Sequence, residues 1–167
     1  MVDGNNILPT QKIFRQYYNS FEDREKAEGQ IRLCWLVAET GKGELFFDNR
    51  FSDEIYGNVK KSIIPENKRD ILDGVPVYFA EKEKDPSSTA DMKILERIKE
   101  IKEHKEYEGH QMVLVSADRE LSHLCKEIAD IKKTSGMFFF KYCRQFIKHQ
   151  APKKPEGKGI LKRIMKN

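Results

Sequence analysis

Apolar and polar residues follow two rhythms along the 167-residue chain. Short continuous apolar runs alternate with longer stretches in which apolar residues recur every third or fourth position. The continuous runs read as strands and the periodic stretches as helices. Val2-Asp3 closes an apolar segment that Gly4-Asn5-Asn6 cuts short as a loop. A helix is expected from Ser20, with Glu22, Asp23 and Glu25 in its first turns, where the helix dipole favours acids. Its apolar stripe is Ile31, Cys34, Trp35 and Ala38, and Gly41-Lys42-Gly43 stops it. Glu44 to Asp48 reads as a buried strand ending in an acid. Residues 49–73 are polar and open to several readings, among them a helix around Asp53–Lys61.

Val75 to Ala80 reads as a third strand, with Pro76 near its start, where a missing N–H is tolerated. A polar loop, Glu81–Ser88, leads into a helix from Thr89 to Glu106, striped by Ile94, Ile98 and Ile101 with Leu95 alongside. Met112-Val113-Leu114-Val115 is continuously apolar, as a strand covered on both faces should be. Ser116-Ala117-Asp118 follows, then a helix carrying Leu121, Leu124, Cys125 and Ile128. Gly136 through Phe140 is expected as the last strand and Tyr142–His149 as the last helix. Strands alternating with helices predict a three-layer α/β/α fold around a mostly parallel sheet, with right-handed crossovers. Residues 1–150 form that domain, and 151–167 form a basic tail opened by Pro152 and Pro155.

In such sheets the functional site lies beyond the carboxyl ends of the strands, and that rule gives four acids a common address. Asp3 follows the first apolar residues, Asp48 ends the second strand and Asp118 follows the fourth. Asp91 sits in the first turn of the helix after the third strand. Each has an ordinary reading by itself: turn residues for Asp3 and Asp48, a dipole-favoured acid for Asp91, a helix N-cap for Asp118. Carboxylates gathered at one rim repel each other, and a hard divalent cation with oxygen ligands relieves that repulsion. Asn5, Asn6 and Ser116 stand beside these acids as candidates to hold the loops, contact phosphate or orient a water.

Composition narrows the partners. No stretch approaches the roughly 20 apolar residues of a membrane span, and Met1-Val2-Asp3-Gly4 lacks the basic and apolar regions of a secretory signal. Cys34, Cys125 and Cys143 are odd in number and contain no CxxC pair, which fits reduced thiols and a cytoplasmic location. His123 with Cys125 lacks the second half of a zinc site. None of His104, His110, His123 and His149 is assigned catalysis. The chain carries a net charge of +4, but residues 151–167 hold six Lys and Arg against one Glu, leaving 1–150 at −1. Such a tail, including Lys153 and Lys154, suits a polyanion such as RNA, or serves only as a solvated terminus.

The motifs resemble a known family. Val2-Asp3-Gly4-Asn5-Asn6-Ile7 is similar to the opening of the NYN domains, the PIN-like nucleases, especially their YacP-type branch, in which an apolar strand precedes Asp-Gly-x-Asn. Leu45-Phe46-Phe47-Asp48 resembles the second strand and its acid, and Thr89-Ala90-Asp91 the element that opens the helix after the third strand. Val113 to Leu121 is similar to the signature Val-Val-Thr/Ser-x-Asp-x-x-Leu. Together the pieces cover residues 1 to about 147, in the family's order. The resemblance implies a PIN-like fold and a metal-dependent endoribonuclease acting on messenger, ribosomal or ribosome-associated RNA. It makes Asp3, Asp91 and Asp118 catalytic ligands of Mg²⁺ or Mn²⁺, Asp48 a fourth or outer acid, and Asn6 a first-loop contact.

The chain also departs from that pattern. Met92 follows Asp91 where the branch often carries a second acid, which points to one ion rather than two. Only Met1 and Val2 precede Asp3, where about five residues are expected of a central strand; this implies a late start or a shortened strand, and in the latter case a weaker placing of Asp3.

Two other readings share the rim. One is an RNA- or ribosome-binding module on the same fold, without catalysis. The other is a receiver-like phosphotransfer domain, which wants a lysine at a later strand end, for which Lys141 is the candidate. The aromatic cluster Phe138-Phe139-Phe140 with Tyr142 offers rings for stacking on bases, but a strand sandwiched between helices is the expected role. Tyr17-Tyr18, flanked by Lys12 and Arg15, is the candidate for stacking on bases from the first loop.

Overall fold

The computed structural model describes residues 1–40, 43–104 and 108–150, with side chains described up to Arg144. Lys153 and Lys154 lie outside it. Five strands form one sheet: β1 (Val2–Asp3), β2 (Leu45–Phe47), β3 (Val77–Phe79), β4 (Met112–Val115) and β5 (Ile131–Thr134). Their order is β3-β2-β1-β4-β5, and every pairing is parallel. The helices in chain order are α1 (Gly4–Ile7), α2 (Lys12–Tyr18), α3 (Asp23–Thr40), α4 (Asp53–Ile63), α5 (Arg69–Asp73), α6 (Ala90–Glu103), α7 (Arg119–Ile128) and α8 (Gly136–Gln150).

Side chains of a strand point alternately to its two faces, and here both faces are covered. Leu45 and Phe47 of β2 enter one core, together with Val2, Val115, and the buried side chains of α2, α3, α4, α5 and α8. Phe46, between them, enters a second core with Leu114, Ile131 and the stripes of α6 and α7: Ala90, Ile94, Ile98, Leu121 and Cys125. The result is the three-layer α/β/α arrangement expected, with a sheet that is wholly rather than mostly parallel. No described helix is long and apolar enough to cross a membrane.

β1 holds the centre of the sheet with two residues. Val2 N donates to Glu44 O at 2.8 Å on one side, and Met1 O accepts from Val115 N at 3.0 Å on the other. Gly4, opening α1, allows the chain to turn against the buried Phe47 ring, since a Cβ there would overlap the ring atoms.

Several elements differ from the sequence reading. Gly4-Asn5-Asn6 is the start of α1 rather than a loop, and Tyr17-Tyr18 belongs to α2. Tyr17 packs against Gly29, with the Arg32 guanidinium 5.5 Å from its ring centroid. It therefore braces α2 on α3 rather than presenting a ring from a loop. The largest difference is at the C-terminal end: Gly136–Phe140 is the first turn and more of α8, not a strand. The fifth strand lies just before it, at Ile131–Thr134, where Ile131 is the one apolar residue. Phe140 and Cys143 face the core, while Phe138 and Tyr142 are exposed.

Candidate functional site

In an open parallel sheet, a crevice forms where the strand order reverses direction from the first strand. Here that point lies between β1, which leads to β2 and β3, and β4, which leads to β5. Asp3 ends β1 and Asp118 stands just beyond β4. Asp3 lies opposite Val2 on the strand and so faces the α6 and α7 layer, where those helices begin. The 3-2-1-4-5 order is not the 2-1-3-4-5 order of receiver-like domains. Lys141, the lysine that reading needs, lies on α8 rather than at a strand end.

The loops at this point are tied together by polar side chains. Asp3 Oδ1 accepts from Asn6 N at 3.1 Å, and Asp3 Oδ2 accepts from Ser116 Oγ at 2.8 Å. Ser116 Oγ in turn accepts from Asp118 N at 3.0 Å. Asn6 Oδ1 accepts from Ala117 N at 2.7 Å, so α1 and the β4–α7 loop are joined twice. Asp118 caps α7, its Oδ1 accepting from Leu121 N at 3.0 Å. Asp48 accepts from the Asn5 amide and from Ala90 N at 2.7 Å, which fastens the end of β2 to the start of α6. Asn5, Asn6 and Ser116 thus serve inside the rim, organising it.

Asp91 differs from the other three: among the described residues its carboxylate takes part in no hydrogen bond or ion pair, and it is half-buried. Its carboxyl is raised above the usual range by burial, then by the charges of Asp118, Asp48 and Glu120. Asp3 is 3% exposed. Burial, with the Asp91 and Asp48 charges adding to it, pushes its carboxyl up to about 6 against the pull of its bonds from Ser116 and Asn6. The field of Asp91 also reaches Cys125 beneath it, whose thiol is pushed up to about 11 chiefly by burial. Five carboxylates from four separate segments, Asp118 and Glu120 sharing the start of α7, therefore act on one another at the place the four-acid pattern predicts. Asp91 is their hub.

Two residues of this region were not foreseen. Glu120, in the first turn of α7, adds a fifth acid; by sequence it is indistinguishable from a dipole-favoured acid. Lys133 of β5 donates through Nζ to Asp118 O at 2.7 Å and reaches Ala117 O at 3.5 Å, bracing the loop that carries Asp118. Its place beside the rim has no local sequence signal, because β5 carries a single apolar residue.

Among the described residues, no three His, Cys, Asp or Glu side chains stand in a ready ligating arrangement. Asp3, Asp48 and Asp118 each turn oxygens toward backbone or amide donors. The donor set at the rim is nevertheless all oxygen, from carboxylates, a hydroxyl and amides, and carries excess negative charge. Such a set suits a hard cation such as Mg²⁺ or Mn²⁺ rather than a thiophilic one. Beside Asp48 a cleft of about 560 Å³ runs along β3, lined by Arg50, Tyr78, Lys82, Lys84 and Lys93 among others. Its charges are largely matched internally, with Arg50 on Asp53 at 2.7 Å, Lys84 on Glu81 at 2.7 Å and Lys93 on Glu81 at 3.0 Å. Comparison of the chain with protein-family models, with curated proteins and with solved structures gave no match.

Proposed function

We propose that this chain is a metal-dependent endoribonuclease of the NYN, PIN-like type, working at the acidic rim between β1 and β4. The observation that carries the reading is the position of Asp91. It is a half-buried carboxylate with no hydrogen-bond or ion-pair partner among the described residues, held against Asp3, Asp48, Asp118 and Glu120. A fold keeps mutually repelling acids at the mouth of a crevice at a cost in stability, and a bound cation offsets that cost. The resemblance of Asp3-Gly4-Asn5-Asn6, Thr89-Ala90-Asp91 and Ser116-Ala117-Asp118 to the family motifs supports the same site.

Asp91, Asp3 and Asp118 are the residues proposed to hold Mg²⁺ or Mn²⁺, with Asp48 and Glu120 completing the negative field. The ion supplies charge neutralisation at a phosphodiester and activation of water for its hydrolysis. Asp3, held by Ser116 and Asn6, fixes the crevice floor. Asp91, half-buried and without an internal hydrogen bond among the described residues, is the carboxylate most open to the ion. Ser116 and Asn6 keep the β4–α7 loop in register with α1, and Lys133 holds that loop through its carbonyls. RNA is the proposed partner and the cytoplasm the proposed location.

A second reading, an RNA-binding module without catalysis, draws on a different observation. Asp3, Asp48 and Asp118 are each already committed to internal donors, as purely structural acids would be. Incubation of a labelled RNA pool with Mg²⁺, Mn²⁺ or EDTA separates the two, because only the nuclease reading predicts metal-dependent strand cleavage.

A further inference from the structure

Charge is divided along the chain more sharply than its net value indicates. From Ile131 to the end there are eleven Lys and Arg against one Glu, a net charge of +10, so residues 1–130 carry −6. Within β5 and α8, Ile131–Gln150, there are five Lys and Arg and no acid at all. In the cleft along β3, on the other flank of the rim, Arg50, Lys84 and Lys93 are paired with neighbouring acids, while Lys82 bonds to the Asn49 amide. Among the described residues, Lys132, Lys141 and Arg144 of β5 and α8 form no ion pair.

That side also carries exposed aromatic surface. β5 is an edge strand, and Lys132 and Lys133 point to its opposite faces, both exposed. Lys133 lies on the acidic-rim side, bonded to the Asp118 carbonyl at 2.7 Å. α8 opens two residues after β5, at the carboxyl end of the sheet, with its first turn packed on Ile7 and Thr10 around Gly136. Phe139, Phe140 and Cys143 fix its inner face, with Phe140 ring centroid 5.3 Å from that of Phe14. The outer face shows Phe138, 61% exposed, and Tyr142, 56% exposed, one helical turn apart. Lys141 and Arg144 are exposed on the same helix. Large aromatics one turn apart on a helix that carries Lys and Arg and no acid match what a single-stranded nucleic acid requires. Backbone phosphates take the cations and bases take the rings.

We propose that Phe138 and Tyr142 form a base-stacking platform for single-stranded RNA, flanked by Lys132 and Lys141 and continuous through Lys133 with the acidic rim. The proposal rests on the RNA reading above and adds the path by which the strand leaves the site. It assigns the exposed aromatics of α8 to the substrate, not to a second protein.

The test is fluorescence anisotropy in EDTA, where no chemistry occurs. The probe is a labelled oligouridylate about a dozen nucleotides long, within the roughly 4–16 nucleotides that single-strand sites occupy, alongside an abasic oligomer of equal charge. Phe138→Ala/Tyr142→Ala is expected to weaken oligouridylate binding about tenfold while leaving abasic binding unchanged, and Phe138→Trp is expected to retain affinity. Circular dichroism and thermal melting establish that each variant is folded. The proposal is overturned if wild type does not bind oligouridylate, or if the double variant binds it as wild type does. It is also overturned if abasic binding falls equally, or if the double variant changes only the sedimentation coefficient, which would give the face to a second copy. Cleavage is read separately: platform binding without any cleavage sinks the nuclease reading alone, and cleavage without aromatic-dependent binding sinks the platform alone.

Discussion

Ser116 joins Asp3 to Asp118: its hydroxyl donates to Asp3 Oδ2 at 2.8 Å and accepts from Asp118 N at 3.0 Å. One fully buried oxygen thus binds the end of β1 to the loop after β4, 113 residues apart. Ser116→Ala leaves a buried carboxylate oxygen and a partly buried N–H without partners. The expected cost is about 1–3 kcal/mol in urea unfolding. Because the Ser116 bond lowers the Asp3 carboxyl, its pKa should also climb, shifting any acid limb of activity toward higher pH. Unchanged stability would show that the bond is not maintained in solution.

Asp3 should leave a signature in stability against pH. Its folded-state carboxyl is raised to about 6 from an ordinary value of 3.8. The folded form therefore holds its proton more tightly than the unfolded chain between those values. The corresponding stability is fully present below about pH 4 and is lost as pH rises through 6. Two units of pKa correspond to an upper limit of about 3 kcal/mol. Asp3→Asn should abolish this dependence and raise Tm at pH 7 relative to wild type without metal. A Tm difference that stays constant from pH 4 to 7 would contradict it.

Metal should counter the same repulsion. A ligand that binds only the folded state, at a hundredfold excess over its Kd, adds about 2.7 kcal/mol. For a chain of this size that is on the order of 5 °C in Tm. Mg²⁺ or Mn²⁺ is expected to produce such a rise at pH 7.5 in wild type and little in Asp91→Asn, while Glu120→Gln falls between. Equal rises in wild type and Asp91→Asn would remove Asp91 from the ligand set.

Gly4 is predicted to be irreplaceable for packing rather than chemistry. A Cβ there overlaps the ring of Phe47, which is fully buried and stacked on Phe79. Gly4→Ala should cost about 1–3 kcal/mol, read by denaturant midpoint, with a loss of activity in proportion to unfolding.

Much of the rim was legible in the sequence because its acids sit beside strong signals. Asp48 and Asp118 follow apolar runs that are real strands, and Asp91 opens a helix whose stripe of Ile94, Ile98 and Ile101 is unambiguous. What was not legible lies where local pattern and tertiary role diverge. β5, Ile-Lys-Lys-Thr, is an edge strand with one buried residue, so no alternation marks it, and the three consecutive phenylalanines after it mimic a strand. Their helical phase became visible only through α8 packing on α3, which buries Phe140 and leaves Phe138 outside. Glu120 looked like a charge serving the dipole of α7, and nothing in sequence tells that role from a place in the field of Asp91. The two-residue β1 holds Asp3 through side-chain bonds from Ser116 and a backbone bond from Asn6, contacts that no count of strand residues reveals.

The central claim is that the carboxylates around Asp91 hold a cation for cutting RNA, and the most direct measurement is cleavage of end-labelled RNA by wild type and Asp91→Asn. Asp91 is the informative position because it caps no helix and carries no internal hydrogen bond, so its loss need not disturb the fold as loss of Asp118 would. The account predicts cleavage with Mg²⁺ or Mn²⁺, none with EDTA, and a drop of at least about a hundredfold in folded Asp91→Asn, as loss of a charged group holding the ion should give. Metal-dependent cleavage that survives Asp91→Asn at the wild-type rate would contradict the site, and the absence of cleavage by folded wild type on every RNA class would contradict the function.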